Sequence, residues 1–184
     1  MAFTISYPAL MMVITGIWIL VRLFVLIRNH SIDWKYECKL LTVYACIAIV
    51  TRLVYFPLLE SDGREKILIY STKFIRNKTN LIPFAYLKYS VRDWIINVLG
   101  NIVLFVPVGT SWPLCFNKLN KIWKVVLAGA GYSLLIELSQ MFVAMRETDI
   151  DDLITNTLGT LIGAFIFFKI QAIRKSHNML LKMD

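Results

Sequence analysis

Five apolar stretches, each close to the length that crosses a lipid bilayer, dominate the sequence. They cover residues 5–27, 38–59, 94–116, 122–145 and 152–173. A helix rises about 1.5 Å per residue, so about 20 apolar residues cross a hydrocarbon core that is about 30 Å thick. The chain is 58% hydrophobic and only 17% charged. We therefore predict an all-α, polytopic membrane protein, a bundle of about five transmembrane helices.

The chain divides into three parts along its length. Residues 1–37 would hold the first transmembrane helix and a cytoplasmic loop, residues 38–173 the main transmembrane domain, and residues 174–184 a basic cytoplasmic tail. The first apolar run lacks the basic start and the cleavage site of a secretory signal. Lys and Arg flank the span ends more closely on the side of residues 28–39, 117–124 and the tail. By the positive-inside rule that side is cytoplasmic, so we expect a multi-pass cell-membrane protein with its N-terminus outside.

The longest connection between spans, residues 60–93, predicts an interfacial segment between the second and third helices. Ile67, Tyr70 and Phe74 follow a 3,4 spacing beside basic residues, which is typical of a short helix lying in the membrane interface. Further along, Pro83 keeps the residue before it extended. The apolar turn around Pro83 can dip into the head-group layer.

The net charge of +8 is divided among short loops next to the spans. These charges form no single basic stripe with interleaved aromatic residues, so we expect membrane lipids and no nucleic acid as partners. Cys38, Cys46 and Cys115 show no metal-type spacing, and the two histidines lie far from any carboxylate cluster. We expect no metal site and no cofactor.

Polar residues recur at helical spacing inside the last three spans, where each is costly to place. The three stripes are Asp93, Asn97 and Asn101; Gly129, Ser133, Glu137 and Gln140; and Asp149, Asp152, Asn156, Gly159 and Gly163. All three stripes lie toward the end that we expect outside. Gly159 and Gly163 form a G-x-x-x-G pair for close helix packing, which would bring Asp152 and Asn156 toward Glu137 and Gln140. The pattern predicts a polar pocket that opens to the outside.

Structural explanations account for part of this pattern. Carboxylates ahead of a helix cap its free amides and complement its dipole, and this explains Asp151 as well as a function does. Asn97, Asn101 and Asn156 could serve only as hydrogen-bonding groups between helices. Pro107 and Gly109 are expected only to bend the third span.

Glu137 is harder to explain structurally, because a charge in the middle of a span costs roughly 2.5–3.5 kcal/mol on translocon scales. A basic partner would keep it charged; Arg52 and Arg146 are the main candidates, and Arg92 is a weaker one. Arg22, near the end of the first span, is expected to extend its guanidinium to the interface.

Several short blocks, in a fixed order over about residues 40–170, together resemble the VanZ-like family. The blocks are Asn80-Leu81-Ile82-Pro83-Phe84, Asp93 with Asn97, the run from Asn101 to Gly109, Ile136-Glu137 with Gln140, Arg146, Asp149, Asp152 and Asn156-Thr157-Leu158-Gly159. The resemblance implies a small polytopic bacterial membrane protein. The namesake is linked to resistance to teicoplanin, a lipoglycopeptide, and the family implies no settled catalytic activity. The positions that the resemblance implies are Asn80, Asn101, Glu137, Gln140, Arg146, Asp149, Asp152 and Asn156.

Three functions remain open at this point. The first is a binding module whose outward polar pocket holds a lipid or a lipoglycopeptide and lowers antibiotic susceptibility. The second is an intramembrane enzyme that acts on a lipid-linked cell-envelope precursor, with Glu137 and Asp152 as an acid/base pair or as Mg²⁺ ligands. The third is a structural membrane subunit. Binding is favoured over catalysis, because Ser133 has no histidine or lysine base in sight.

Overall fold

Five helices account for most of the chain. The computed structural model describes residues 2–56, 67–71, 79–84, 91–144 and 148–181. The helices are α1 (Tyr7–Asn29), α2 (Trp34–Tyr55), α3 (Val91–Cys115), α4 (Ile122–Gln140) and α5 (Ile150–Leu180), and the strands are β1 (Ala2–Ser6), β2 (Ile67–Ser71), β3 (Thr79–Asn80) and β4 (Thr148–Asp149). Within the described residues all five helices are long and apolar enough to cross a membrane. The predicted all-α, polytopic architecture is confirmed.

The ends of the last two helices differ from the expected spans. α4 ends at Gln140, where a turn takes the chain to Val143, which forms a β-bridge with Tyr70. α5 continues to Leu180, well beyond the apolar run. Its last part contains good helix formers such as Lys and Arg and neither Gly nor Pro, so nothing in the sequence stops the helix there.

The chain forms two compact units, of which the first comprises Met1–Thr79 with Leu138–Thr148. In this unit β1 pairs antiparallel with β2, from Ala2 opposite Ser71 to Ser6 opposite Ile67. The prediction of an interfacial helix over Ile67 and Tyr70 is therefore wrong, and Phe74 lies outside the described residues. Residues 67–70 are rich in β-branched and aromatic side chains, which favour a strand once a partner strand is available.

Two arginine side chains of the first unit, Arg22 and Arg52, have polar partners within that unit. Arg22 forms an ion pair with Glu37, and its Nε donates to Glu37 Oε2 at 3.0 Å. Arg22 therefore binds a carboxylate on α2, and the expectation that its guanidinium reaches the membrane interface stays a prediction. Arg52, one candidate partner for Glu137, donates to the carbonyl of Phe56 and lies over the ring of Tyr7.

The second unit comprises Asn80–Glu137 with Asp149–Asp184, and it contains α3, most of α4, and α5. In this unit, α3 and α5 approach each other closely at glycines. A β-carbon added at Gly163 would lie 2.9 Å from the Cα of Gly109, and one at Gly159 would collide with the backbone of Ile102. Gly109, expected only to help bend α3, therefore lies where the two backbones meet. Between α4 and α5, a β-carbon at Gly129 would lie 2.8 Å from Thr160 Cβ.

Candidate functional site

The start of α5 contains Asp149 and Asp151, and it also binds the carboxyl group of Glu137 from α4. Asp149 is the N-cap, and its side chain accepts from the amide of Asp151 at 3.0 Å, which satisfies a donor that the helix leaves free. The amide of Asp149 in turn donates to Glu137 Oε2 at 3.0 Å. Glu137 is only 3% exposed. The carboxyl group of α4 is therefore fixed directly against the N-terminus of α5.

The turn that follows β3 is held by carboxylates from the same place. Asn80 Nδ2 donates to Asp149 Oδ1 at 3.2 Å, and the amide of Phe84 donates to both carboxylate oxygens of Asp151 at 2.9 and 3.0 Å. Phe84 has a positive φ of 61°, which is uncommon for a bulky residue. The neighbouring apolar side chains Leu81 and Ile82 remain 68% and 69% exposed.

Two further amide side chains join the helices of this unit. Asn101 of α3 donates through Nδ2 to Asp152 Oδ1 of α5 at 2.6 Å. One turn deeper, Asn156 Nδ2 donates to Ser133 Oγ of α4 at 2.9 Å. Asn156 is 3% exposed, and its Oδ1 has no hydrogen-bond partner among the described residues. α5 is thus tied to α3 and to α4 by separate side-chain bonds.

These residues form one group, which we call the polar cluster. Its members are Asn80, Asn101, Ser133, Glu137, Asp149, Asp151, Asp152 and Asn156. Asp149 and Asp152 both lie within electrostatic range of Glu137. Such a concentration of carboxyl groups produces a negative local potential that favours cations and hydrogen-bond donors. Within the described residues, no three His, Cys, Asp or Glu side chains are arranged to hold a metal ion.

The structure brings six of the eight predicted site residues into the polar cluster. The six are Asn80, Asn101, Glu137, Asp149, Asp152 and Asn156. Gln140 belongs to the first unit, where it is buried and its Oε1 lacks a hydrogen-bond partner among the described residues. Arg146 lies outside the described residues. Asp93 and Asn97, on the same stripe as Asn101, are exposed.

The sequence pattern underestimates the role of Asp151 in the polar cluster. Asp151 lies off the helical stripe and was explained equally well by capping, yet its carboxylate binds the amide of Phe84. Its burial, with 7% exposed, is what distinguishes it from an ordinary exposed first-turn aspartate. No periodicity reveals this bond, because its donor is a backbone amide 67 residues away.

The family model described as VanZ/LLP1 matches residues 41–173. The chain belongs to the VanZ/LLP1 family. The matched range contains every residue of the polar cluster, whereas α1 lies before it. The resemblance seen in the sequence is therefore confirmed. No curated protein and no solved structure matches this VanZ/LLP1 chain significantly.

Proposed function

We propose that this VanZ/LLP1 protein binds the polar head of a lipid or of a teicoplanin-type lipoglycopeptide at the polar cluster, and so lowers antibiotic susceptibility. The observation that carries the proposal is the combination of buried carboxyl groups with an exposed apolar turn. Asp149 and Asp151 bind the turn that exposes Leu81 and Ile82. An amphiphile needs both features, because its charged head requires hydrogen-bonding groups and its apolar part requires hydrocarbon-like contacts.

The proposed orientation puts the polar cluster at the outer leaflet. The cluster surrounds the N-terminus of α5, whereas Arg174 and Lys175 lie toward the opposite end of this helix. Basic residues next to spans favour the cytoplasm, so the polar cluster faces outward, where a lipoglycopeptide arrives. An alkaline phosphatase fused after Met145 should be active. An inactive fusion produced in equal amount would contradict an outward site.

A catalytic role has one specific observation in its favour. Glu137 is bound to the start of α5, and Asp152 lies in the first turn of the same helix. Two neighbouring carboxyl groups of this kind can divide acid and base duties on a lipid-linked envelope substrate. Against it, the partner of Ser133 Oγ that the structure gives is the amide of Asn156, and an amide cannot serve as a base for a nucleophile. Binding therefore remains the first proposal and catalysis the alternative.

The test compares drug susceptibility in a susceptible Gram-positive host that expresses the wild type or Asp152→Asn. Asn keeps the shape of the side chain and an oxygen that accepts from Asn101, but it removes the charge. We expect the wild type to raise the inhibitory concentration of teicoplanin and not that of vancomycin, which has no lipid. Asp152→Asn should abolish this rise.

The matched control is Asp33→Asn, at the exposed N-cap of α2 in the first unit. Asn and Asp cap a helix about equally well, so this variant should protect like the wild type. All variants are compared at equal membrane levels. No protection by the wild type would remove the resistance function. Full protection by Asp152→Asn would instead show that the polar cluster only joins helices, as in a structural subunit.

A further inference from the structure

An apolar groove lies between α4 and α5 in the second unit. It has a volume of about 480 Å³, and we call it the α4–α5 groove. Its walls include Leu127, Gly131 and Leu134 of α4 and Leu153, Ile154 and Thr157 of α5. The hydroxyl of Thr157 donates to the carbonyl of Leu153 at 2.7 Å within its own helix. The single polar side chain among these six is thus satisfied, and the walls offer hydrocarbon contacts.

The register of the two helices places one end of the groove next to the polar cluster. Three contacts show that α4 and α5 run antiparallel: Asp149 with Glu137, Asn156 with Ser133, and Thr160 with Gly129. Leu134 and Leu153 each adjoin a member of the cluster in sequence. From Leu134 the groove follows α4 to Leu127, which is about 10 Å of helix rise.

The residues that line the groove are exposed and lie on apolar helices, and this indicates the kind of molecule that fits there. Leu127, Leu134 and Ile154 are exposed to 62%, 45% and 42%, although they lie on helices that are apolar enough to cross a membrane. In a bilayer this surface meets lipid chains. The volume is also within the range of about 300–1,000 Å³ that is usual for ligand pockets. A concave apolar surface with a polar cluster at one end fits one extended amphiphile.

We propose that the α4–α5 groove holds an acyl chain of a membrane phospholipid whose head group lies at the polar cluster. The head-group end of this inference rests on the proposed function, whereas the acyl end rests on the groove alone. The polar cluster then selects the head by charge and hydrogen bonding. The groove accommodates an acyl chain that enters at the level of Leu153 and extends along α4.

Gly131 offers a way to fill the groove without disturbing the fold. A β-carbon built there meets no atom within 4 Å, so the side chain of Gly131→Leu enters the space that the acyl chain would occupy. Gly100 on α3 provides the matched control. It also has open space around a β-carbon, and it does not line the groove. Ile154→Trp fills the groove from the opposite wall and serves as a second variant.

The experiment uses the purified full chain in vesicles that contain phosphatidylethanolamine with a photoreactive diazirine in one acyl chain. The ammonium group of this lipid suits the negative potential of the polar cluster. After illumination, labelled peptides are quantified by mass spectrometry. Exposed residues of α1 such as Leu20 and Phe24 report ordinary contact with the bilayer. We expect labelling of the groove walls several-fold above that of α1. Gly131→Leu and Ile154→Trp should reduce it to the α1 level, and Gly100→Leu should leave it unchanged.

The possible results separate the two proposals. Two results would overturn the acyl-chain site: groove labelling no higher than that of α1, or groove labelling that does not change in Gly131→Leu and Ile154→Trp. Either result can occur while teicoplanin protection still depends on Asp152, which would leave the proposed function in place. Enriched labelling that falls in both groove variants and in Asp152→Asn supports the whole amphiphile site. Enriched labelling that Asp152→Asn leaves intact supports the acyl chain and overturns the head-group site.

Discussion

The substitution Gly109→Ala should separate α3 from α5. A β-carbon at Gly109 would collide with the carbonyl oxygen of Thr160 and lie 2.7 Å from Ala164 N and 2.9 Å from Gly163 Cα. All three neighbours are backbone atoms, so no side-chain rotation can relieve the contact. The two helices would have to move apart by about 1 Å or more before carbon contacts reach van der Waals distance.

The size of this effect can be isolated with the same substitution nine positions earlier. Gly100 lies on the same helix with open space around a β-carbon, so Gly100→Ala gains only the helix propensity of alanine, about 1 kcal/mol. Gly109→Ala has the same gain but adds overpacking, which typically costs about 1–3 kcal/mol. The propensity term cancels in the comparison. The difference in the free energy of unfolding between the two variants therefore measures the contact between the helices.

Thermal unfolding in detergent, followed by tryptophan fluorescence, gives the comparison directly. For a chain of this size 1 kcal/mol corresponds to roughly 2–4 °C in Tm. We expect Gly100→Ala to unfold at or slightly above the wild-type temperature, and Gly109→Ala several degrees below Gly100→Ala. Equal Tm values for the two variants would show that α3 and α5 do not meet at Gly109 and would refute this account of the packing.

Two further predictions concern single contacts. Glu37→Gln should lower Tm, because it removes the carboxylate that pairs with the guanidinium of Arg22, which is only 16% exposed. The double variant Arg22→Gln/Glu37→Gln should lose less Tm than the sum of the losses in the two single variants. Strictly additive losses would contradict the pairing. Asp151→Ala should raise amide hydrogen exchange at Phe84 by about tenfold or more, since a hydrogen bond to a charged group contributes about 1.5–3 kcal/mol. Asp151→Asn, which keeps an acceptor, should retain most of the protection, and unchanged exchange in Asp151→Ala would contradict the bond to Phe84.

Apolar length was sufficient to predict the helices and insufficient to predict the segment between α2 and α3. A run of about 20 apolar residues has one stable solution in a bilayer, because each backbone group must find its partner within the helix. Ile67 and Tyr70 form a strand because residues 2–6 provide a strand to pair with. Such pairing depends on residues more than 60 positions away, and a local spacing carries no information about it.

The side chains of the polar cluster were largely predictable, whereas their partners were not. Helical stripes identified Asn101, Glu137 and Asp152, because polar residues in a span usually face the protein interior. The bonds themselves involve other elements. Asn101 meets Asp152 because glycines let α3 approach α5 closely, and Glu137 meets a backbone amide that has no side-chain signature. The glycine pair Gly159 and Gly163 indicated a close neighbour but not that this neighbour is α3.

Close helix packing and the polar cluster are parts of one arrangement. The backbones of α3 and α5 touch at Gly159 and Gly163, and about two turns toward the N-terminus of α5 the same pair of helices brings Asn101 within 2.6 Å of Asp152. A bond of that length tolerates little separation of the helices. Loss of stability and loss of the site should therefore occur together in Gly109→Ala, whereas Asp152→Asn removes a charge and leaves the backbone contact in place. A function that fails in Asp152→Asn without a loss of stability therefore belongs to the carboxylate itself, and not to the packing that positions it.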